Sequence, residues 1–516
     1  MRLIDFFDRG VSLDPGRVCL KDSQVSRSYA EVQRQSCRIG NALIRDGLRP
    51  QAKAAVYSGN GAAAFECVLG ILRAGGVWAP TNARNAVPEN AYILDNCDVE
   101  ILFYHSDFEA DVEELAARCP KIRLYVCIDA GSGRGPALAD WIGDAADTDP
   151  DIPGDRDTLA SIFSSGGTTG RPKGVMWTNQ VWEVMLASFF TCMPVRKPPV
   201  HLVAAPMTHA AGGLALLLMA VGATQVILPR FDPEPVARAI QEEGVTHLFL
   251  PPTAIYGLLS HPGIADYDFG SLEYFIYAAA PMSVEKLKQC LEVFGPVMCQ
   301  TFGQAEAPML CTYLSPEEHL VAGDAEREGR LASCGRPTLF TRVAIMDDDG
   351  QLLPPGERGE IVVRGNLVMP GYYRNPEATA EVSTHGWHHT GDIGRMDEDG
   401  YLYIVDRKKD MIISGGFNVY PSEIEQVIWG HAAVQDCAVI GVPDEKWGEA
   451  VKAVVELKPG ESLDEAEVIA LCKAALGSVK APKSVEFWPT LPRSPVGKVR
   501  KKDIRETFWA GRERAI

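Results

Sequence analysis

No run of this sequence stays apolar long enough to cross a bilayer. Its most apolar stretch, GGLALLLMAVGATQVIL at 212–228, is broken by Gly222, Thr224 and Gln225 before the roughly 20 residues that a membrane helix requires. It reads instead as a buried helix running into a strand. Clustered cations are missing too. Fifty Lys and Arg face 68 Asp and Glu, for a net charge of −18, and no basic block is long enough to leave a footprint for nucleic acid. Nucleic acid is excluded as a partner, and the acidity reads as a solvated surface. Paired cysteines are absent as well. Thirteen, an odd number, lie scattered between Cys19 and Cys472 without one C-x-x-C, which excludes a zinc ribbon or a disulfide framework and fits reduced thiols in the cytoplasm. MRLIDFFDRG at the N-terminus puts acids where a secretory signal has a basic start and a long apolar stretch, so no export signal is expected. Internal repeats and low-complexity tracts are also lacking, and nothing bears for or against a homodimer.

What is present is 516 residues, too many for one ordinary core. Short β-branched runs (AAVY at 54–57, ILFY at 101–104, LYVCI at 124–128, LASIF at 159–163, HLFL at 247–250, FIYA at 275–278) alternate with helical patterns. Ser28 with Glu31 forms a capping box for a helix ending near Gly47, and Asp232-Pro233 opens another that ends near Gly244. Repeated βαβ units predict an α/β body of parallel sheets, with ligands at the carboxyl ends of strands. After about Leu331 the texture changes to alternating strands with DDG and PPG turns, a small β unit. The last hundred or so residues follow DRKKD at 406–410 and alternate helix (PSEIEQVIWG), strand, strand, helix and strand, which predicts a small α+β domain.

One stretch concentrates chemistry: SIFSSGGTTGRPKGV at 161–175. Glycines let backbone N–H groups turn onto a phosphate, Ser and Thr add donors, and lysine adds charge. Neither the NTPase pattern G-x-x-x-x-G-K-[ST] nor the dinucleotide pattern G-x-G-x-x-G fits it. By itself the loop reads equally as a phosphate cradle or as a glycine-rich turn between a strand and a helix.

SSGGTTGRPKGV resembles the phosphate loop of the adenylate-forming ligases, the superfamily of acyl-CoA synthetases, luciferases and peptide-synthetase adenylation domains. Four further segments resemble that superfamily's motifs in its order: FGQAE at 302–306, HTGDIG at 389–394, DRKKDMIISGGFNVYPSEIE at 406–425 and LPRSPVGKVRKKDIR at 491–505. The resemblance covers nearly the whole chain. It implies an adenylation body at 1–405, a hinge at 406–410 and a mobile cap at 411–516. It also implies an ATP- and Mg²⁺-dependent acid:CoA ligase that forms an acyl-adenylate and then a thioester.

Residue by residue, the resemblance makes Ser165, Gly166, Gly167, Thr168, Thr169, Gly170 and Lys173 the cradle for the β- and γ-phosphates and Glu306 the Mg²⁺ ligand. Ala279, Ala280, Thr301, Phe302 and Gly303 would surround the adenine, and Asp392 and Arg407 would hold the ribose. Lys498 would bridge the substrate carboxylate and the α-phosphate. Lys409 would be the pivot of the cap, and Gly415 and Gly416 the wall of a tunnel for CoA. His209, Ala278, Gln304 and Ala305 would line the acid pocket. Gly166, Phe302 and Ala305 depart from the commonest Ser, Tyr and Thr. The missing hydroxyl at Ala305 is an interaction of about 1 kcal/mol if neutral and up to about 3 if charge-assisted. APMTHAAGG at 205–213 carries no carboxylate to pair an ammonium, so a fatty or bulky apolar or aromatic acid is expected rather than an amino acid. Two alternatives stand beside this reading: an acyl-AMP ligase or luciferase-like enzyme that does not use CoA, and a non-catalytic nucleotide-binding relative.

Overall fold

The computed structural model describes residues 1–131, 133–165, 172–321, 325–444, 446–494 and 497–509. Helices start where local chemistry predicts. In the helix Tyr29–Arg45, the Ser28 side chain accepts the Glu31 amide and the Glu31 carboxylate accepts the Ser28 amide. The helix Pro233–Glu243 opens on proline and ends on Gly244 in the left-handed region.

Two sheets form the body. A six-stranded sheet runs Leu124–Cys127, Val99–Tyr104, Lys53–Tyr57, Val77–Trp78, Leu159–Ser164, Gly174–Thr178, parallel except for the last pair. The expected strand-to-helix turn after Ser164 is therefore corrected: the glycine-rich loop returns as an antiparallel strand. The run GVMWT suits a strand, and Trp177 stacks on Phe163 of its neighbour with ring centroids 3.9 Å apart. A nine-stranded sheet has the parallel strands Met298–Gln304, Tyr274–Tyr277, His247–Leu250, Val200–Val203, Thr224–Ile227 and Val18–Lys21, with antiparallel strands at both edges. One continuous apolar core joins the two sheets, and it includes the helix Ala210–Met219 predicted to be buried.

A four-stranded antiparallel sheet follows, formed by Arg342–Met346, Arg358–Arg364, His388–Met396 and Leu402–Arg407. The C-terminal region builds its own five-stranded sheet, in which Val434–Asp444 and Gly448–Leu457 pair over most of their length. Its separate core packs against the helices Pro421–Trp429 and Glu465–Lys480. Among the described residues no helix is long and apolar enough to cross a membrane.

Candidate functional site

Asp392 and Arg407 face each other across the paired strands His388–Met396 and Leu402–Arg407. Asp392 is 4% exposed, and its Oδ1 receives Arg407 Nε at 2.7 Å. Thr390 Oγ1 accepts the Asp392 amide at 3.1 Å and donates to the Ile361 carbonyl at 2.7 Å, which fixes the turn. Burial pushes the Asp392 carboxyl above the ordinary carboxylate range, and Arg407 and then Lys498 oppose that push.

Glu306 is 8% exposed. Its Oε1 accepts the Tyr372 hydroxyl at 2.7 Å, and the Lys173 ammonium lies over the Tyr372 ring at 4.7 Å. Tyr372 thereby links the carboxylate to the far end of the glycine-rich loop. The base of that loop is closed by the Ser165 amide donating to the Lys173 carbonyl at 2.9 Å and the Lys173 amide donating to Ser165 Oγ at 3.0 Å. Gly166, Gly167, Thr168, Thr169 and Gly170 lie outside the described residues. Among the described residues no group of three or more His, Cys, Asp or Glu side chains is arranged to hold a metal ion. Glu306 alone suits Mg²⁺, a hard cation that takes one or two carboxylates and completes its shell with phosphate and water oxygens. Sequence reasoning missed Tyr372, although MPGYY sits just before the helix opening at Asn375-Pro376 and is a readable signal.

The strand Tyr274–Tyr277 runs into three alanines. Ala279 has φ +75° and is exposed. A non-glycine residue there costs roughly 1–2 kcal/mol, a strain typical of ligand loops. On the next strand Phe302 is buried at 8%, and the Thr301 hydroxyl is buried with no hydrogen-bond partner among the described residues. A Cβ at Gly303 would come within 2.4 Å of the Met309 amide, so only glycine fits the turn. Gln304 Nε2 donates to the Thr390 carbonyl at 3.4 Å, joining this strand to the Asp392 segment. The Ala305 carbonyl accepts Trp177 Nε1 at 2.7 Å, so its backbone is held although the side chain offers no hydroxyl.

Lys498 arrives on a tight loop of the small domain. The Ser494 amide donates to the Lys498 carbonyl at 2.7 Å and the Lys498 amide to Ser494 Oγ at 3.2 Å. Gly497, at φ +85°, would drive a Cβ within 2.6 Å of Thr253 Oγ1, so glycine lets the loop press onto the body. Lys498 and His209 are both exposed, yet enough protein lies around them to withdraw part of their hydration. Burial, with Arg407 adding to it against Asp392, brings the Lys498 ammonium down to about 8. Burial and then Lys498 push His209 down to about 4, so this imidazole is neutral near pH 7. Ala278 is half-buried at the end of its strand.

Two expected participants, Gly415 and Gly416, lie elsewhere. Gly415 and Gly416 form the exposed turn between the strands Ile412–Ser414 and Phe417–Val419, with φ +58° and +82°, and Gly415 packs under the Trp447 ring. Lys409 is half-buried just past Arg407, and burial brings its ammonium down to about 8.

Residues 7–373 match the family model described as AMP-binding enzyme, and residues 423–498 match the AMP-binding enzyme C-terminal domain. The chain is 36% identical to a feruloyl-CoA synthase of Amycolatopsis sp, over 97% of this chain and 98% of that protein. It is 42% identical to the medium/long-chain-fatty-acid–CoA ligase FadD8 of Mycobacterium tuberculosis; that match spans 71% of this chain and 64% of the relative. Among solved structures it resembles the amide bond synthetase McbA of Marinactinospora thermotolerans, with a TM-score of 0.89 and 31% identity over 98% and 100% of the two chains.

Proposed function

From the premise that this chain belongs to the AMP-binding enzyme family, we propose that it is an acid:CoA ligase acting in two steps. A carboxylate oxygen attacks the α-phosphorus of ATP and pyrophosphate leaves. The CoA thiol then attacks the acyl carbonyl, its proton is lost and AMP leaves. Both steps gather negative charge, so fixed cations and aimed donors are the required equipment. The observation that carries this reading is that the small-domain loop bearing Lys498 rests on the body at Thr253, within electrostatic reach of Asp392 and Arg407.

In this reading Asp392 accepts the ribose hydroxyls and Arg407 steadies the same sugar. The alanine loop and Phe302 flank the adenine, the loop based on Ser165 and Lys173 holds the phosphates, and Glu306 holds Mg²⁺. The metal, when bound, neutralises phosphate charge. Lys498 sits between the acid and the α-phosphate. Residues 1–405 act as the body and 411–516 as a cap pivoting in 406–410. Gly415 and Gly416 reach the thiol path only after the pivot, which is consistent with their exposed hairpin. The small side chains at Ala278 and Ala305, and the absence of a carboxylate in 205–213, favour a bulky apolar, aromatic or medium- to long-chain acid. The names of the feruloyl and fatty-acid relatives support that class. Thirteen free cysteines, all but Cys192 buried, support a reducing, cytoplasmic setting.

The test is pyrophosphate release over a panel from acetate through long fatty acids to aryl and bicyclic acids, each with and without CoA. Thioester formation from an apolar or aryl acid is expected, and adenylation confined to amino acids overturns the proposal. The likeness to McbA favours one second reading, an amine as acceptor in place of CoA. Amide product with amines and no thioester with CoA would select it.

The pH profile gives a further expected outcome. The working form of Lys498 is the cation, and its ammonium titrates near 8. At subsaturating ATP, adenylation should therefore hold below pH 8 and fall about tenfold per pH unit above it. Lys498→Arg should move the limb beyond the range measured, and a limb left in place would assign it to another group.

A further inference from the structure

We infer that Arg358 and Asp406 form a seat that grips the first turn of the helix Pro421–Trp429 and so holds the C-terminal domain in the adenylating pose. They are positioning residues for Lys498, and the inference rests on the role proposed for that lysine. The helix supplies no side-chain cap of its own: its N-cap residue, Tyr420, makes no such bond. Asp406 takes that place from the neighbouring strand. Its Oδ2 accepts the Ser422 amide at 2.8 Å, while the Ser422 hydroxyl donates to the Val405 carbonyl. Asp406 is buried, and an anion at a helix N-terminus is favoured by the unpaired amides there.

One residue further on, Glu423 pairs with Arg358 at 2.9 Å, and the Arg358 guanidinium lies 5.5 Å from the Tyr420 ring centre. A turn later, Gln426 Nε2 donates to the Met282 carbonyl at 3.3 Å. Thus one short helix carries an ion pair, a borrowed cap and an amide contact, all directed at the body. Glu423 also pairs with Lys480 inside its own domain.

Gripping this helix fixes Lys498 because the small domain is laced together. Lys501 and Arg505 lie on the helix Lys501–Phe508, which begins three residues after the catalytic lysine. Lys501 Nζ meets Glu425 of the gripped helix at 2.7 Å, and Arg505 meets Asp410 at 2.8 Å. Lys408, by contrast, belongs to the body: its amide donates to the Gly391 carbonyl at 2.9 Å, and its ammonium meets Asp348 at 2.8 Å and Glu360 at 3.4 Å. The two anchorages leave Lys409 between them. A rotation there pulls the helix off Asp406 and parts Glu423 from Arg358 in one movement.

The test measures the two half-reactions separately: pyrophosphate release with ATP, and thioester formation from preformed acyl-adenylate. Dodecanoyl- or cinnamoyl-adenylate serves as probe, according to which acid the panel selects. Arg358→Ala should slow pyrophosphate release about fivefold and leave the thioester step equal or faster. Glu423→Gln should do the same, and the double variant should add little to either. Lys480→Ala, which removes only the partner inside the domain, should leave the ratio of the two rates unchanged. Fluorophores on the body and the small domain should report a larger open population in Arg358→Ala. An unchanged ratio, or equal loss of both steps with an unchanged Tm, overturns the seat. Lys498→Ala run alongside separates the failures: if it loses adenylation while Arg358→Ala changes nothing, only the seat falls, and if it keeps adenylation, the functional reading falls first.

Discussion

Replacing Lys498 with alanine should lower acyl-adenylate formation about 10²- to 10³-fold, the loss typical when one preorganised charge is taken from a transition state, or roughly 3–4 kcal/mol. ATP binding should change little, because Asp392, Arg407, Glu306 and the loop based on Ser165 and Lys173 are untouched. The effect is large for a local reason. The lysine stands near another cation, Arg407, and its own affinity for a proton is already reduced. In the role proposed for it, its charge faces the negative charge that builds at the α-phosphorus. Pyrophosphate release gives the rate and nucleotide titration gives the affinity. Loss of both together would point to a damaged crevice, and an unchanged rate would remove Lys498 from the chemistry.

Lys409→Pro should separate the two half-reactions in the opposite direction from Arg358→Ala. Proline fixes φ near −65° and restricts the residue before it, at the position flanked by Lys408 on the body and Asp410 on the small domain. Thioester formation is expected to fall about 100-fold, and adenylation to stay within about fivefold, because reorientation of the small domain is needed only for the second step. Comparing pyrophosphate release with CoA consumption from preformed adenylate checks it. Equal losses reject Lys409 as the pivot.

The local features of the fold were legible because their causes are local. HLFL became the strand His247–Leu250, and PSEIEQVIW became the helix Pro421–Trp429, its proline at the first helical position. The capping box at Ser28 formed as read. What escaped depends on partners far away in the chain. The strand Gly174–Thr178 is fixed by pairing with Leu159–Ser164 and by the Phe163–Trp177 stack, neither of which a window of sequence contains. Tyr372 gains its meaning from Glu306 and Lys173, and Glu423 from Arg358. Propensity also concealed Ala279, since a left-handed position ordinarily announces itself as glycine. The motifs themselves were readable; the bonds that orient their residues were not.

That alanine has a consequence for anyone refining the enzyme. Glycine at 279 would relieve the backbone of a crowded methyl, yet it would also enlarge the unfolded ensemble, two effects of about 1 kcal/mol each that oppose one another. Melting temperature should hardly register Ala279→Gly. Affinity for free AMP should, by a few-fold weakening, because a loop preset at the proposed purine site becomes one that must be tamed on every encounter.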